Sequence, residues 1–182
     1  MDSDAVRHYE ARELLADGRP VLIRAVRPDD KDALQELMRR LSPESSYLRF
    51  FQAKRELTPE EVRYYAEADF LDHVALVAIV REDGADVLIG TGRYFTGPEA
   101  APGAADLTFV VDDAHQGLGA ATHLLRHLVS IARAAGISEL RAEVIADNRR
   151  MLNVFSRSGL MMRLIPAGPI TEVRLALTEP AP

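Results

Sequence analysis

A run of small residues, Gln116-Gly117-Leu118-Gly119-Ala120-Ala121, follows a short polar turn and opens a helical pattern. Small side chains there leave the backbone within reach of a ligand. The free N–H groups of a first helical turn, together with the helix dipole, favour an anion. Gly117 and Gly119 permit close approach and unusual dihedrals, and Ala120 and Ala121 keep the rim low. Local charge agrees. Ala114–Ser138 carries no Asp or Glu, where 28 acidic residues in 182 would place about four. The same small residues also suit close packing of a helix on a sheet, so taken alone they leave both readings open. Other phosphate motifs fit worse. A P-loop needs a lysine that is absent here. A dinucleotide fingerprint needs a third small residue where Thr122 stands, and glycines directly after the strand, whereas Asp112–Gln116 intervene.

Stepping outward, the elements that must hold this turn can be read from period and punctuation. Residues 1–17 read as an amphipathic extension. Asp17-Gly18 is a turn before a β-rich run, Val21–Val26. Pro28-Asp29-Asp30 breaks it and starts a helix whose apolar positions run Ala33, Leu34, Leu37, Met38, Leu41. Ser42-Pro43 ends that helix, and Tyr47–Gln52 matches no template. Thr58-Pro59-Glu60-Glu61 is a capping box opening a helix to about Ala68. Val74–Arg81 and Val87–Phe95 form a hairpin across Glu82-Asp83-Gly84. After a Gly/Pro/Ala-rich loop, Thr96–Ala104, a strand spans Asp106–Asp112. A long helix runs from near Gly117 to Gly136, with Leu118, Ala121, Leu125, Leu128 and Ala132 on its apolar face. Glu139–Ala146 is a strand, Asn148–Ser158 a helix, and Leu160–Ile165 and Thr171–Leu177 the closing strands. The order predicts an α/β (α+β) domain over 18–178, with a mixed, mostly antiparallel sheet, one strand–helix–strand crossover, and a short tail at 179–182.

Composition sets the outer bounds. A chain of 182 residues with 47% hydrophobic and 27% charged residues has room for a core. No cysteine is present, which excludes disulfides, thiolate catalysis and cysteine-ligated metal. A net charge of −6 argues against nucleic acid as a partner. No apolar run approaches bilayer length, and the polar N-terminus is no secretory signal, so the expected location is the cytoplasm. His123 and His127 share a helix face at metal-ligand spacing, but no third ligand accompanies them and the expectation is a solvated face with no metal.

Gln116, Gly119 and Ala121, as Gln-x-x-Gly-x-Ala, resemble the acyl-CoA pyrophosphate signature of the GNAT superfamily of N-acetyltransferases. DGRPVLIRAVRPDD, LSPESSYLRFF, HVALVAIV, IGTGRYF and AEVIADNRRML are similar to the catalytic domain of Pat-type bacterial protein lysine acetyltransferases. The resemblance spans about Val21 to Leu177 and implies a GNAT-like fold and acetyl-CoA as co-substrate. It implies a cofactor site of Gln116, Gly117, Leu118, Gly119, Ala120, Ala121, with strand amides of Phe109, Val110 and Val111 beside the acyl group. Asn148 matches the residue that bonds the pantetheine arm, although it also suits a helix N-cap. Phe155 stands where many relatives have a Tyr that protonates the leaving thiolate, so that acid is missing and Phe155 is left to pack on the arm. Arg149 and Arg150 could reach the phosphates. Arg49-Phe50-Phe51 falls at the acceptor wall, with core packing expected for Phe50 and Phe51, and His73 is expected to be structural.

Acetyl transfer needs a neutral amine, yet at pH 7.4 only about 0.1% of a free lysine amine is neutral. The resemblance aligns Asp106 with the Glu that serves as base in Pat-type enzymes. Asp is one methylene shorter, so a water between it and the amine is implied. The alternative is a solvated acid at a strand start. With no cysteine to carry an acyl group, direct attack in a ternary complex follows. The expected acceptor is a protein lysine, such as one on an acyl-CoA synthetase. The alternatives are a small-molecule amine, and, in another class, a non-catalytic acyl-CoA sensor. No membrane partner is expected, and the chain would be a monomer or a homodimer.

Overall fold

The computed structural model describes residues 2–52, 54–97 and 101–178. Its spine is a hairpin that the sequence dictates locally. β3 (His73–Glu82) and β4 (Ala85–Phe95) meet across Asp83-Gly84, both in the left-handed region at φ 48° and 82°, the two-residue turn that matches strand twist. Val74 to Val80 are all buried, so β3 is covered on both faces. The sheet has eight strands in the order β1-β2-β3-β4-β5-β6-β8-β7. The others are β1 (Glu10–Leu14), β2 (Pro20–Ala25), β5 (Ala104–Val111), β6 (Glu139–Ile145), β7 (Met161–Ala167) and β8 (Ile170–Ala176). Only β5 and β6 pair in parallel, through the crossover helix α5 defined below. This is the mixed, mostly antiparallel sheet with one strand–helix–strand crossover that the sequence implied.

Helices α2 (Lys31–Arg40), α3 (Pro43–Phe50) and α4 (Pro59–Ala66) follow β2, after a single helical turn, α1 (Ser3–Arg7), at the N-terminus. The capping box is present as expected: Thr58 Oγ1 accepts from the Glu61 N–H and Glu61 returns a bond to the Thr58 N–H. Ser42-Pro43 does more than stop α2. Ser42 Oγ caps α3, and Pro43 occupies its first turn, where its missing N–H costs nothing. The unassigned segment Tyr47–Gln52 is therefore the end of a helix, closed by Phe51 at φ 57°.

α5 (Ala120–Ala134) buries Leu124, Leu125, Leu128 and Ile131 against the sheet, each worth about 1.5–3 kcal/mol of burial. Gly136 ends it at φ 81°: its N–H reaches Arg133 O and that of Ile137 reaches Ala132 O. Ala121, expected on the apolar face, is half-exposed and lines a cleft instead. α6 (Arg149–Ser156) joins β6 to the β7–β8 hairpin.

The largest departure is at the N-terminus. Residues 10–14, expected within an extension, form strand β1, paired with β2 from Glu10↔Arg24 to Leu14↔Pro20. The expected solvated face of His123 and His127 is in fact packed on this strand. Tyr9 Oη lies 2.6 Å from His127 Nδ1, and Glu13 Oε1 lies 3.0 Å from His127 Nε2 and 2.5 Å from Arg126. His123 Nε2 sits 3.0 Å from Leu14 O. Among the described residues no helix is long and apolar enough to cross a membrane. The tail at 179–182 lies outside the described residues, as do Pro98–Ala100 of the Thr96–Ala104 loop.

Candidate active site

The site begins where two strands part. β5 pairs with β6 only at Ala104↔Glu139, Ala105↔Leu140 and Asp106↔Arg141. Beyond that row β6 continues against β8 as far as Ile145↔Ile170, while β5 continues against β4 as far as Gly90↔Val111. A wedge therefore opens along Leu107–Val111. Its polarity follows from register. The Asp112 N–H bonds Ile89 O on the β4 side. Alternation then turns the amides of Phe109 and Val111 toward the gap and that of Val110 into the β4 ladder. Of the three amides expected at an acyl group, Val110 is thus committed elsewhere.

At the far end of the wedge stands the glycine turn. Gly117 has φ 78° and Gly119 φ 94°, a backbone that L side chains avoid. Gly119 is the N-cap of α5, no side chain caps that helix, and its first turn holds no acid. Gly119, Ala120 and Ala121 border the cleft, so the free donors of this uncapped first turn are offered to it. The turn is anchored from several sides. The Ala16 N–H donates to Leu118 O at 2.9 Å, tying it to the β1–β2 connection. Gln116 donates to Ser45 Oγ (3.0 Å) and Val111 O (3.1 Å) and accepts from Arg150 (2.6 Å). Asp113 accepts from the Ser42 N–H and from the hydroxyls of Ser42 and Ser45, which fastens α3 to the same turn. Below it, Asp112 lies 2.5 Å from His115 Nδ1 and takes Arg40 at 3.1 Å.

One open cleft gathers these residues. It is lined by Phe109, Val110, Val111, Gln116, Gly117, Gly119, Ala120 and Ala121, with Asn148 and Phe155 across the wedge and Asp106 at its base. Leu118 packs against the core rather than lining it. Asn148 caps α6, its Oδ1 accepting the Met151 N–H at 3.1 Å while the residue borders the cleft. Phe155 is buried at 1% exposure and packs on Phe109, ring centroids 6.2 Å apart. Arg150 lines the cleft, whereas Arg149 is exposed at the helix start. Phe50 is half-buried and Phe51 is exposed at 39%, so neither is core. His73 is buried, stacked on Tyr64 at 4.7 Å, as a structural residue would be.

Asp106 sits at the fork itself, on the last row where β5 and β6 are joined. Burial raises its carboxyl pKa, Arg141 opposes that, and Glu172 adds to it. A carboxylate so placed keeps its affinity for a proton and looks into the cleft. The wedge depends on one glycine. Gly92 faces Phe109 across β4–β5, and a Cβ there would lie 2.6 Å from the Phe109 ring. Gly92→Ala is expected to destabilise the fold by about 1–3 kcal/mol and to displace Phe109 toward the wedge. Urea denaturation reads the first effect, and an unchanged midpoint would remove Gly92 from this account.

The arrangement has known counterparts. A family profile described as "Acetyltransferase (GNAT) family" matches residues 34–160. Acetyltransferase PA5475 of Pseudomonas aeruginosa is 33% identical over 149 residues, covering 82% of this chain and 79% of that protein. The GNAT domain of S. lividans PAT superposes with a TM-score of 0.82 at 32% identity, covering 92% of this chain and 96% of that one. YncA of Salmonella typhimurium, a putative acetyltransferase solved with its cofactor acetyl-CoA, shares the fold at a TM-score of 0.69 and 20% identity, covering 89% of this chain and 96% of that one. With a parted β5–β6 pair above an uncapped glycine turn, and with these likenesses, the chain belongs to the GNAT family of acetyltransferases.

Proposed function

We propose that this protein transfers the acetyl group of acetyl-CoA to a primary amine, in the first instance a lysine side chain on another protein. The observation that carries the reading is the fork: the strand gap and the glycine turn open one cleft with the carboxylate of Asp106 on the last row that joins the two strands. In this reading the uncapped turn, Gln116 to Ala121, holds the pyrophosphate, with Arg150 beside it. The pantetheine arm lies in the wedge along Phe109–Val111, against the packed Phe109–Phe155 pair and past Asn148. The gap-facing amides of Phe109 and Val111 are about 6.6 Å apart, so one of them donates to the acyl oxygen and stabilises the negative charge that develops on it, and the other is left for the pantetheine arm.

Asp106 removes the amine's proton, directly or through a water. The neutral amine nitrogen then bonds to the acyl carbon, the tetrahedral adduct gives its second N–H proton to solvent, the carbon–sulfur bond breaks, and the thiolate takes a proton from solvent. No cysteine exists to carry the acyl group, so attack is direct. No metal is assigned a role. The resemblance of the sequence to Pat-type protein lysine acetyltransferases supports a protein acceptor, and an acyl-CoA synthetase is the first to try. A small amine is the second reading, favoured by a small recess between α3, α4 and the sheet that shares Arg49 and Thr108 with the cleft. A cytoplasmic enzyme would meet both kinds of acceptor.

Calorimetric titration with acetyl-CoA, with NADH as control, tests the reading. Micromolar binding of acetyl-CoA alone is expected. No binding to folded protein would reduce the glycine turn to a packing device, and binding without turnover on any amine would leave an acyl-CoA sensor. Labelling of a protein band in lysate, against label in the low-molecular-weight fraction, separates the two acceptor classes.

A further inference from the structure

Two arginines are sunk into the face of the sheet beneath α3 and α4. Arg93 is only 3% exposed, and Arg49 is partly buried. Among the described residues neither forms an ion pair. The nearest acceptors of Arg93 are neutral and distant: Tyr65 O at 3.4 Å, His73 Nε2 at 3.3 Å and Thr91 Oγ1 at 3.3 Å. Arg49 donates to Thr108 Oγ1 at 3.1 Å, with Tyr65 as a further side-chain partner. Both guanidinium groups otherwise lie on aromatic faces, Arg49 over Phe50 at 4.7 Å and Arg93 over Tyr65 at 4.2 Å. Asp69, whose charge acts on His73, spends one oxygen on the N–H groups of Leu71, Asp72 and His73.

The two cations also act on each other. Burial, and then the charge of Arg49, pull Arg93 down to about 9, which leaves it cationic at neutral pH. His73 is pulled down to about 4 by burial and by Arg93, so at neutral pH it adds no charge. Two like charges buried together without a counter-charge are unfavourable unless an anion joins them.

We propose that Arg49 and Arg93 form a binding subsite for a small anionic group of halide or carboxylate size, seated in the chamber between α3, α4 and the sheet. The space is far smaller than the open cleft, so it takes a small group and not a second cofactor. Arg49 and Thr108 border both spaces. Register sets the spacing from the proposed base. Arg93 lies opposite Thr108, and Phe95 lies opposite Asp106, on one face of the sheet. Asp106 and Thr108, which borders the subsite, are therefore two strand residues apart, roughly 6.6 Å along β5. An acceptor holding its amine at Asp106 would place a carboxylate at Arg49 if a short chain joined the two. An anion from the buffer could occupy the same position. The first source rests on the acetyltransferase reading and the second does not.

The test has two arms. In the first, chloride is titrated into the full chain against gluconate at constant ionic strength, with melting temperature and 35Cl line width as readouts. Wild type is expected to show a saturable rise in melting temperature and broadened chloride resonance. Arg93→Met should reduce the response at least fivefold, and Arg93→Lys should keep most of it. Arg49→Gln serves the same purpose if Arg93→Met does not fold. In the second arm, 5-aminopentanoate and its amide are compared as acceptors. An acceptor-borne anion predicts at least a tenfold lower KM for the carboxylate, abolished in Arg49→Gln and competed by chloride. A chloride response without that preference identifies a free anion, which also supports the subsite. No chloride response and no carboxylate preference would overturn it, while a chloride response in a chain that fails to bind acetyl-CoA would overturn only the enzyme reading.

Discussion

Gly119→Glu is expected to weaken acetyl-CoA binding by at least 100-fold while leaving the protein folded. Two effects combine. The residue holds φ at 94°, so any L side chain strains the turn by about 1–2 kcal/mol. Space is not the difficulty, because a Cβ would first meet His123 at 3.9 Å, an ordinary contact. The second effect is charge. A carboxylate about 5 Å from a phosphate, at an effective dielectric near 20, opposes binding by about 3 kcal/mol, a factor of roughly 100. Gly119→Ala separates the two, since it carries the strain without the charge and should cost about tenfold. Calorimetry reads the affinities, and a thermal melt shows that each variant is folded. If the Glu variant bound acetyl-CoA like wild type, the turn would not be the anion site.

Why this turn could be seen in the sequence, and other parts could not, has a physical reason. Its signals are local: two glycines, a helix start and an acid-free stretch all lie within a few residues. The Thr58 capping box and the Asp83-Gly84 hairpin are legible for the same cause. β1 is not. Its residues, Glu-Ala-Arg-Glu-Leu, alternate between half-buried and exposed and include no β-branched side chain. What makes them a strand is pairing with β2 and the grip of Glu13 and Tyr9 on α5, which only tertiary contact supplies. α3 is hidden because Ser42-Pro43 carries the signal of a helix stop and of a helix start at once. The parting of β5 from β6 leaves no mark in either strand, for it is a matter of which rows pair. Arg49 and Arg93 are 44 residues apart in the chain, and nothing local tells that their charges meet. A charged residue inside an apolar strand, such as Arg93 in Ile-Gly-Thr-Gly-Arg-Tyr-Phe, is the signal that could have pointed there.

Asp106→Asn is expected to lower kcat at pH 7 by about 10²–10⁴-fold and to leave the acetyl-CoA affinity within about twofold of wild type. The asymmetry follows from position. Asp106 is at the base of the wedge, on the acceptor side, while the glycine turn is at the other end of the gap. The pH profile carries the sharper statement. In wild type the rate should rise with pH as Asp106 loses its proton, and burial, with help from Glu172, moves that limb above the ordinary Asp range. In the Asn variant this limb should vanish, leaving only the ionisation of the amine itself. Stability works the other way. A carboxyl whose pKa is raised on folding favours the native state at low pH and loses that contribution as pH rises through its folded value. At pH 7 the substitution therefore removes an unfavourable charge, and the variant should melt no lower than wild type. A fall in rate cannot then be ascribed to unfolding. Asp106→Glu, which restores the longer side chain usual in Pat-type enzymes, should keep activity and shift the limb. Equal rates for wild type and Asp106→Asn across the pH range would remove Asp106 as the base. The proton would then have to leave through water alone, or through another acid lining the cleft, of which Glu172 and Glu143 are the candidates.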